Sequence, residues 1–110
     1  MTDEEVELKL SGEDIRRLVV LQIEKDLELT RGELAEETSD WTSFSDLVHT
    51  VDKQIQCSKL SLDQILYKVD VDENAILDSI QSGQLDFQTN AAKLIIKRTL
   101  QKVVLRQLYS

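Results

Sequence analysis

The apolar residues of this chain recur mainly at the three- and four-residue spacing of an α-helix. The clearest stripe starts at Phe44, with further apolar residues 3, 4, 7 and 11 positions later, which places all of them on one helix face. Ser43 and Asp46 fit the start of such a helix, because a serine oxygen accepts hydrogen bonds from the free amides of the first turn. The pattern predicts a helix from Phe44 to about Cys57.

The same spacing recurs in four further segments. We expect these helices at Ser11 to Leu29, Ser61 to Val69, 73 to Gly83, and Thr89 or Asn90 to about Leu108. The chain has no proline and three glycines, so few residues interrupt a helix. We therefore predict an all-α fold, a compact bundle of about five helices that forms a single domain over residues 1–110.

Two of these helices carry more apolar surface than one buried face requires. In the first, Val20 and Leu21 widen a face that includes Leu18, so we expect neighbours on more than one side. The last helix is long and apolar on several sides, which is unusual for a helix lying on a protein exterior. We expect it at the centre of the bundle, or with one half buried in a homodimer interface.

Two segments are less determined by their patterns. Val6 to Leu10 alternates apolar and charged residues, which is the period of a strand. Because a lone strand is not stable, three structures are possible for this segment: a short N-terminal strand, an extended arm over residues 1–10, or an early helix. Residues 30–42 fit a short exposed helix or a loop. Within them, we expect Trp41 to pack back on the domain.

The segment 61–82 resembles a helix-turn-helix. The first helix would bury Ile65, Leu66 and Val69, the turn would bury Val71, and the second helix would be anchored by Ile76 and Ile80. The exposed start of that second helix would carry acids at positions 72, 73 and 78. Because such a helix approaches phosphates when it reads DNA, these carboxylates argue against DNA binding at this face.

Charge is distributed unevenly along a chain with a net charge of −8. Residues 1–40 hold 13 acidic and 5 basic side chains, residues 41–86 hold 8 and 3, and residues 87–110 hold none and 5. One interpretation is internal complementarity, in which the basic last helix lies near acidic elements. The other is two surfaces of opposite sign that recruit partners.

The sequence contains no pattern typical of a catalytic, metal or cofactor site. Cys57 is the only cysteine and His49 the only histidine, which excludes a zinc site of the usual type within one chain. The acids at 70–73 lack the glycine and distal glutamate of a calcium loop. We expect no enzyme activity, no metal and no cofactor; if the chain were an enzyme, His49 would be its general base.

These observations favour a small acidic protein-interaction module, acting as a regulator, adaptor or inhibitor. Its partner would be a protein with a basic surface, bound by an acidic face at Glu13, Glu24, Asp26, Glu28, Glu33, Glu36, Glu37 and Asp40. The alternative is a helix-turn-helix-like transcriptional regulator. It would contact nucleic acid through the last helix, at Lys93, Lys97, Arg98, Lys102 and Arg106, although the negative net charge argues against that partner.

The sequence also predicts a cytoplasmic protein without a membrane partner. Its first residues are acidic where a secretory leader is basic. The longest apolar run, Leu18 to Leu21, is far shorter than the ~20 residues that cross a bilayer.

Overall fold

A computed structural model describes residues 2–38, 43–72, 74–75, 77–78 and 86–109 of the chain. The helices with both ends in these residues are α1 (Asp3–Leu10), α2 (Glu13–Asp26), α3 (Glu33–Glu37), α4 (Phe44–Cys57), α5 (Leu62–Val69) and α6 (Phe87–Tyr109). Residues 74–75 and 77–78 are helical as well. The described residues contain no strand, so the all-α prediction is confirmed for them.

Helix α6 packs against α2, α4 and α5, and α1 packs against α2 and α4. On the inner side of α6, Ala92, Ile96 and Leu100 are fully buried at four-residue intervals. Each large aliphatic side chain that leaves water in this way stabilises the fold by ~1.5–3 kcal/mol. The radius of gyration is 13.0 Å, which matches the ~13 Å of a compact chain of this length.

The N-terminal segment is a helix, so the alternatives of a strand or an extended arm are wrong and the early helix is what forms. Val6 and Leu10 are fully buried, whereas Leu8 is 76% exposed. Burial at positions four apart, with the residue between them in water, is helical geometry. The Thr2 hydroxyl accepts a hydrogen bond from the Glu5 amide and caps the helix.

Of the predicted helix starts, those at Ser43 and Ser61 are confirmed and the one at Ser11 is wrong. Ser43 accepts from the Asp46 amide at 3.2 Å, and Ser61 forms a reciprocal capping box with Gln64. Ser11, in contrast, ends α1 instead of capping α2, because its hydroxyl donates to the Leu8 carbonyl.

Helix α6 begins two residues before the predicted start at Thr89. The carboxylate of Asp86 accepts a hydrogen bond from the Thr89 amide at 2.7 Å, which satisfies a free donor of the first turn. The hydrogen bonds from the Thr89 backbone and side chain hold the pKa of Asp86 below its usual value. Asp52 on α4 secures the same turn by accepting from the side chains of Gln88 and Thr89.

Helices α2 and α5 both end at a residue in the left-handed conformation, where glycine is the usual choice. Glu28 has φ 57° after α2, and Asp70 has φ 67° after α5. In both cases the next amide reaches back into the helix: Leu29 donates to the Glu24 carbonyl and Val71 donates to the Leu66 carbonyl. The first of these endings stops α2 at Asp26, earlier than predicted.

Several sequence predictions fall outside the described residues. They concern Asp40, Trp41, Ile76, Ile80 and Gly83. Among the helices that are described, none has the length and apolar character needed to cross a membrane.

Candidate interaction surfaces

The cations of α6 were the predicted contacts of the nucleic-acid alternative, and two of them are paired with a carboxylate of α1. Lys93 and Lys97 both contact Asp3, the latter at 2.7 Å. Burial would raise the pKa of the Asp3 carboxyl, but its hydrogen bonds and charge pairing with the two lysines hold that pKa below its ordinary value. The pairing joins the two ends of the chain.

The other three cations of α6 also contact oxygens of the chain itself. Arg98 pairs with Asp70 at 3.1 Å, and Lys102 donates to the Val69 carbonyl at the end of α5. A cation there is favoured by the negative end of the helix dipole. Arg106 donates to the side-chain oxygen of Gln22 at 3.0 Å, so it has a neutral partner.

The predicted acidic face does not form one continuous surface of free carboxylates. Glu28 pairs with Lys68 at 3.5 Å, Glu33 accepts from the Thr30 amide and Glu37 accepts from Gln54. Of the other described positions of that face, Asp26 is half-buried and accepts from Gln22, Glu24 is buried, and Glu13 and Glu36 are exposed.

Glu24 is 2% exposed and acts inside the protein. Its carboxylate accepts hydrogen bonds from the amides of Gly32 at 3.0 Å, Leu34 at 2.8 Å and Ala35 at 3.0 Å. These are free donors at the start of α3, which has no side-chain cap of its own. The sequence signal for this role is an acid four residues after Val20, on the buried face of α2.

The first half of the helix-turn-helix-like segment is present as predicted. Ile65, Leu66 and Val69 are buried, and Val71 packs against the core. The two anchors of the second helix fall outside the described residues. Leu77, in the helical stretch between them, is 46% exposed.

His49 lies in a cleft between α1, α4 and α6, where no described side chain orients its ring. The cleft has a volume of 460 Å³ and is also lined by Asp3, Glu7 and Lys93. Glu7 accepts from the amide of Phe44 at the start of α4, and Asp3 is paired with lysines. In the part of the chain that is described, His49 has no hydrogen-bond partner, and no three metal-ligating side chains converge.

An open apolar groove runs between α2 and α6, and we name it the α2–α6 groove. Helix α2 contributes Leu18, Leu21, Gln22 and Lys25, and α6 contributes Val103, Arg106 and Gln107. Its volume is 340 Å³, and Leu18 remains 41% exposed. The widened apolar face predicted for α2 is therefore buried on the side that faces the core, and it is exposed to solvent at Leu18 in this groove.

The groove continues into a second depression of 350 Å³ at the C-terminal end of α2. Leu21 and Lys25 line both depressions, and Leu29 and Arg31 line the second. Glu24 is the only carboxylate that lines either depression in the described structure, and its oxygens are occupied by the three amides of α3. The result is a leucine-rich trough with cationic edges on a chain whose net charge is −8.

Comparison with known proteins gives no assignment: the chain matches no family model, and neither a curated protein nor a solved structure shows significant similarity to it.

Proposed function

We propose that this chain is a small, non-catalytic protein-interaction module, a regulator, adaptor or inhibitor, and that the α2–α6 groove is its binding element. The observation that carries the proposal is the open trough, in which Leu18 and Leu21 line a depression that no part of the described chain fills. Apolar side chains that line a continuous open surface are typical of protein-binding sites. Burying Leu18 against a partner would recover the hydrophobic free energy that the isolated chain leaves unused.

The acidic face supports the proposal less well than the groove does. Of its described carboxylates, one is buried and four accept hydrogen bonds or an ion pair within the chain. A basic partner would have to displace these contacts or rely on Glu13 and Glu36 alone. Carboxylates already held by the fold gain little from a new surface ion pair.

The nucleic-acid alternative has a comparable cost. Four of the five cations of α6 contact a carboxylate or a helix carbonyl of the chain. To release counterions from a duplex, these side chains would first have to leave their partners. Binding of an apolar partner surface to Leu18 and Leu21 in the α2–α6 groove requires no such exchange.

The test is a comparison of bait proteins in native lysate, with and without nuclease. Leu18→Glu places a charge in the groove, and Leu8→Glu is the matched control, because Leu8 is 76% exposed on α1 and outside the groove. We expect a nuclease-resistant partner that the wild type and Leu8→Glu both retain and that Leu18→Glu loses. Equal retention by both variants would exclude the groove, and nuclease-sensitive capture abolished by charge reversal at Lys97 and Arg98 would favour the nucleic-acid alternative.

A further inference from the structure

The edges of the α2–α6 groove and its extension carry three cations that form no ion pair with a carboxylate of the described residues. Lys25 and Arg31 are exposed, and no ion pair or hydrogen bond to their side chains is present within the described residues. Arg106 is bound to the neutral side chain of Gln22. Elsewhere on α6, Lys93, Lys97 and Arg98 all face carboxylates.

We propose that the occupant of this groove is an amphipathic helix of a partner protein whose polar edges carry carboxylates. The proposal rests on the function proposed above and adds the chemistry of the partner. The partner's apolar stripe would lie on Leu18 and Leu21, with the buried Val103 at the base of the groove. Its acids would lie beside the cationic edges.

A helix fits the shape of the trough. The α2 side runs from Leu18 towards the end of that helix at Asp26, a rise of ~12 Å or about two helical turns. Its other wall is a second helix, and a third helix packs into such a channel with its axis ~8–10 Å from each neighbour. Leucine anchors along a groove between helices are typical of helix-in-groove recognition.

The negative net charge of the chain does not oppose an acidic partner at this site. At physiological ionic strength, charges more than ~8 Å apart are largely screened. Within that distance the partner senses three cations that line the groove and its extension, Lys25, Arg31 and Arg106. It also senses the carboxylate of Asp26, which is bonded to the groove residue Gln22. The one carboxylate among the lining residues, Glu24, is turned into the protein and bonded to three amides.

The experiment is selection from a displayed library of helical peptides, with the full chain as bait. Peptides of about 16 residues, roughly four turns, carry fixed leucines at positions i, i+3, i+4 and i+7. Their flanking positions are randomised among Glu, Lys, Gln and Ala. We expect Glu to be enriched over Lys beside the leucine stripe by about tenfold at low ionic strength, and by less at high salt.

Two variants identify the cations responsible. In Lys25→Glu combined with Arg106→Glu, the preference should reverse from Glu to Lys. The control is Lys53→Glu combined with Lys59→Glu, which changes the net charge equally at exposed lysines that do not line the groove. This control should keep the preference for Glu.

The outcomes separate the two proposals. One outcome is enrichment that Leu18→Glu abolishes but that shows no bias towards Glu, or no reversal in the double variant. It would overturn the acidic partner and leave the proposed interaction module unaffected. No enrichment above the Leu18→Glu bait would overturn both. Sedimentation of the chain alone measures its oligomeric state. A dimer that Leu18→Glu converts to a monomer would mean that a second copy of the chain occupies the groove, and would overturn the acidic partner helix.

Discussion

Replacement of Glu24 by glutamine should destabilise the protein, because this carboxylate is the shared acceptor for three backbone amides. The side chain is 2% exposed, and glutamine has nearly the same shape, so packing is retained. The glutamine oxygen can keep the bonds from Leu34 and Ala35. Its amino group then faces the amide of Gly32. Because both groups are donors, no hydrogen bond forms between them.

The expected loss follows from these contacts. A hydrogen bond to a charged group contributes ~1.5–3 kcal/mol, and a buried donor left unpaired costs ~1–3 kcal/mol. One bond lost and two weakened predict a decrease of ~2–4 kcal/mol in the free energy of unfolding of the Glu24→Gln variant. For a domain stable by ~5–15 kcal/mol, this is a large fraction.

The assay is urea unfolding followed by far-ultraviolet circular dichroism, with Glu36→Gln as the control. Glu36 lies in α3 itself but is exposed, so its replacement should change the free energy of unfolding by less than ~0.5 kcal/mol. Amide hydrogen exchange supplies a local measurement. The Leu34 amide, which donates to Glu24 at 2.8 Å, should exchange faster in Glu24→Gln than in the control.

A Glu24→Gln variant as stable as Glu36→Gln, with unchanged exchange at Leu34, would contradict the capping role of Glu24. It would mean that the start of α3 does not depend on the buried carboxylate.

Three further changes test other parts of the fold. Thr99→Val should raise the free energy of unfolding by about 1 kcal/mol, because the Thr99 hydroxyl is fully buried without a hydrogen-bond partner among the described residues; a lower urea midpoint would contradict this. Asp3→Asn should reduce the loss of stability on acidification, as followed by thermal unfolding between pH ~5 and ~2. The lysines lower the folded pKa of Asp3, so the pairing stabilises the fold above the unfolded pKa of ~3.9 and this stabilisation is lost as pH falls through the folded pKa. Because Asp3 is half-exposed, the two proteins should differ by less than ~1 kcal/mol. Identical acid profiles would contradict this prediction. Glu28→Gly should raise the urea midpoint, with a gain of about 0.5 kcal/mol, because relief of the left-handed backbone exceeds the loss of an exposed ion pair with Lys68; an unchanged midpoint would show that the conformation is not strained.

Features whose interacting groups are close along the chain could be predicted from the sequence. The caps at Ser43 and Ser61 each involve a residue three positions away. The stripe from Phe44 to Ile55 needs only the period of a helix, and its five members are buried. Such features follow from local geometry, and most of them form where they were predicted.

Where a local pattern fits two structures, packing between distant segments selects one of them. Val6, Leu8 and Leu10 satisfy a strand as well as a helix, and the packing of α1 against α2 and α4 selects the helix by burying the first and third. Ser11 could cap α2 or end α1 with equal local chemistry, and it ends α1.

The roles of the charged residues and the candidate site also depend on tertiary structure. Asp3 meets Lys93 and Lys97 from the opposite end of the chain, and Glu24 was assigned to an acidic face although it caps a helix inside the protein. The sequence contains 21 acidic residues, but it does not show which of them lie beside a hydrogen-bond donor in the fold. Composition and periodicity indicate the number of charges and the helices that carry them. The packing of α6 against α2 places Lys25, Arg31 and Arg106 beside an open groove. Spacing along the chain could not predict this, because proximity between distant segments is a property of the assembled fold.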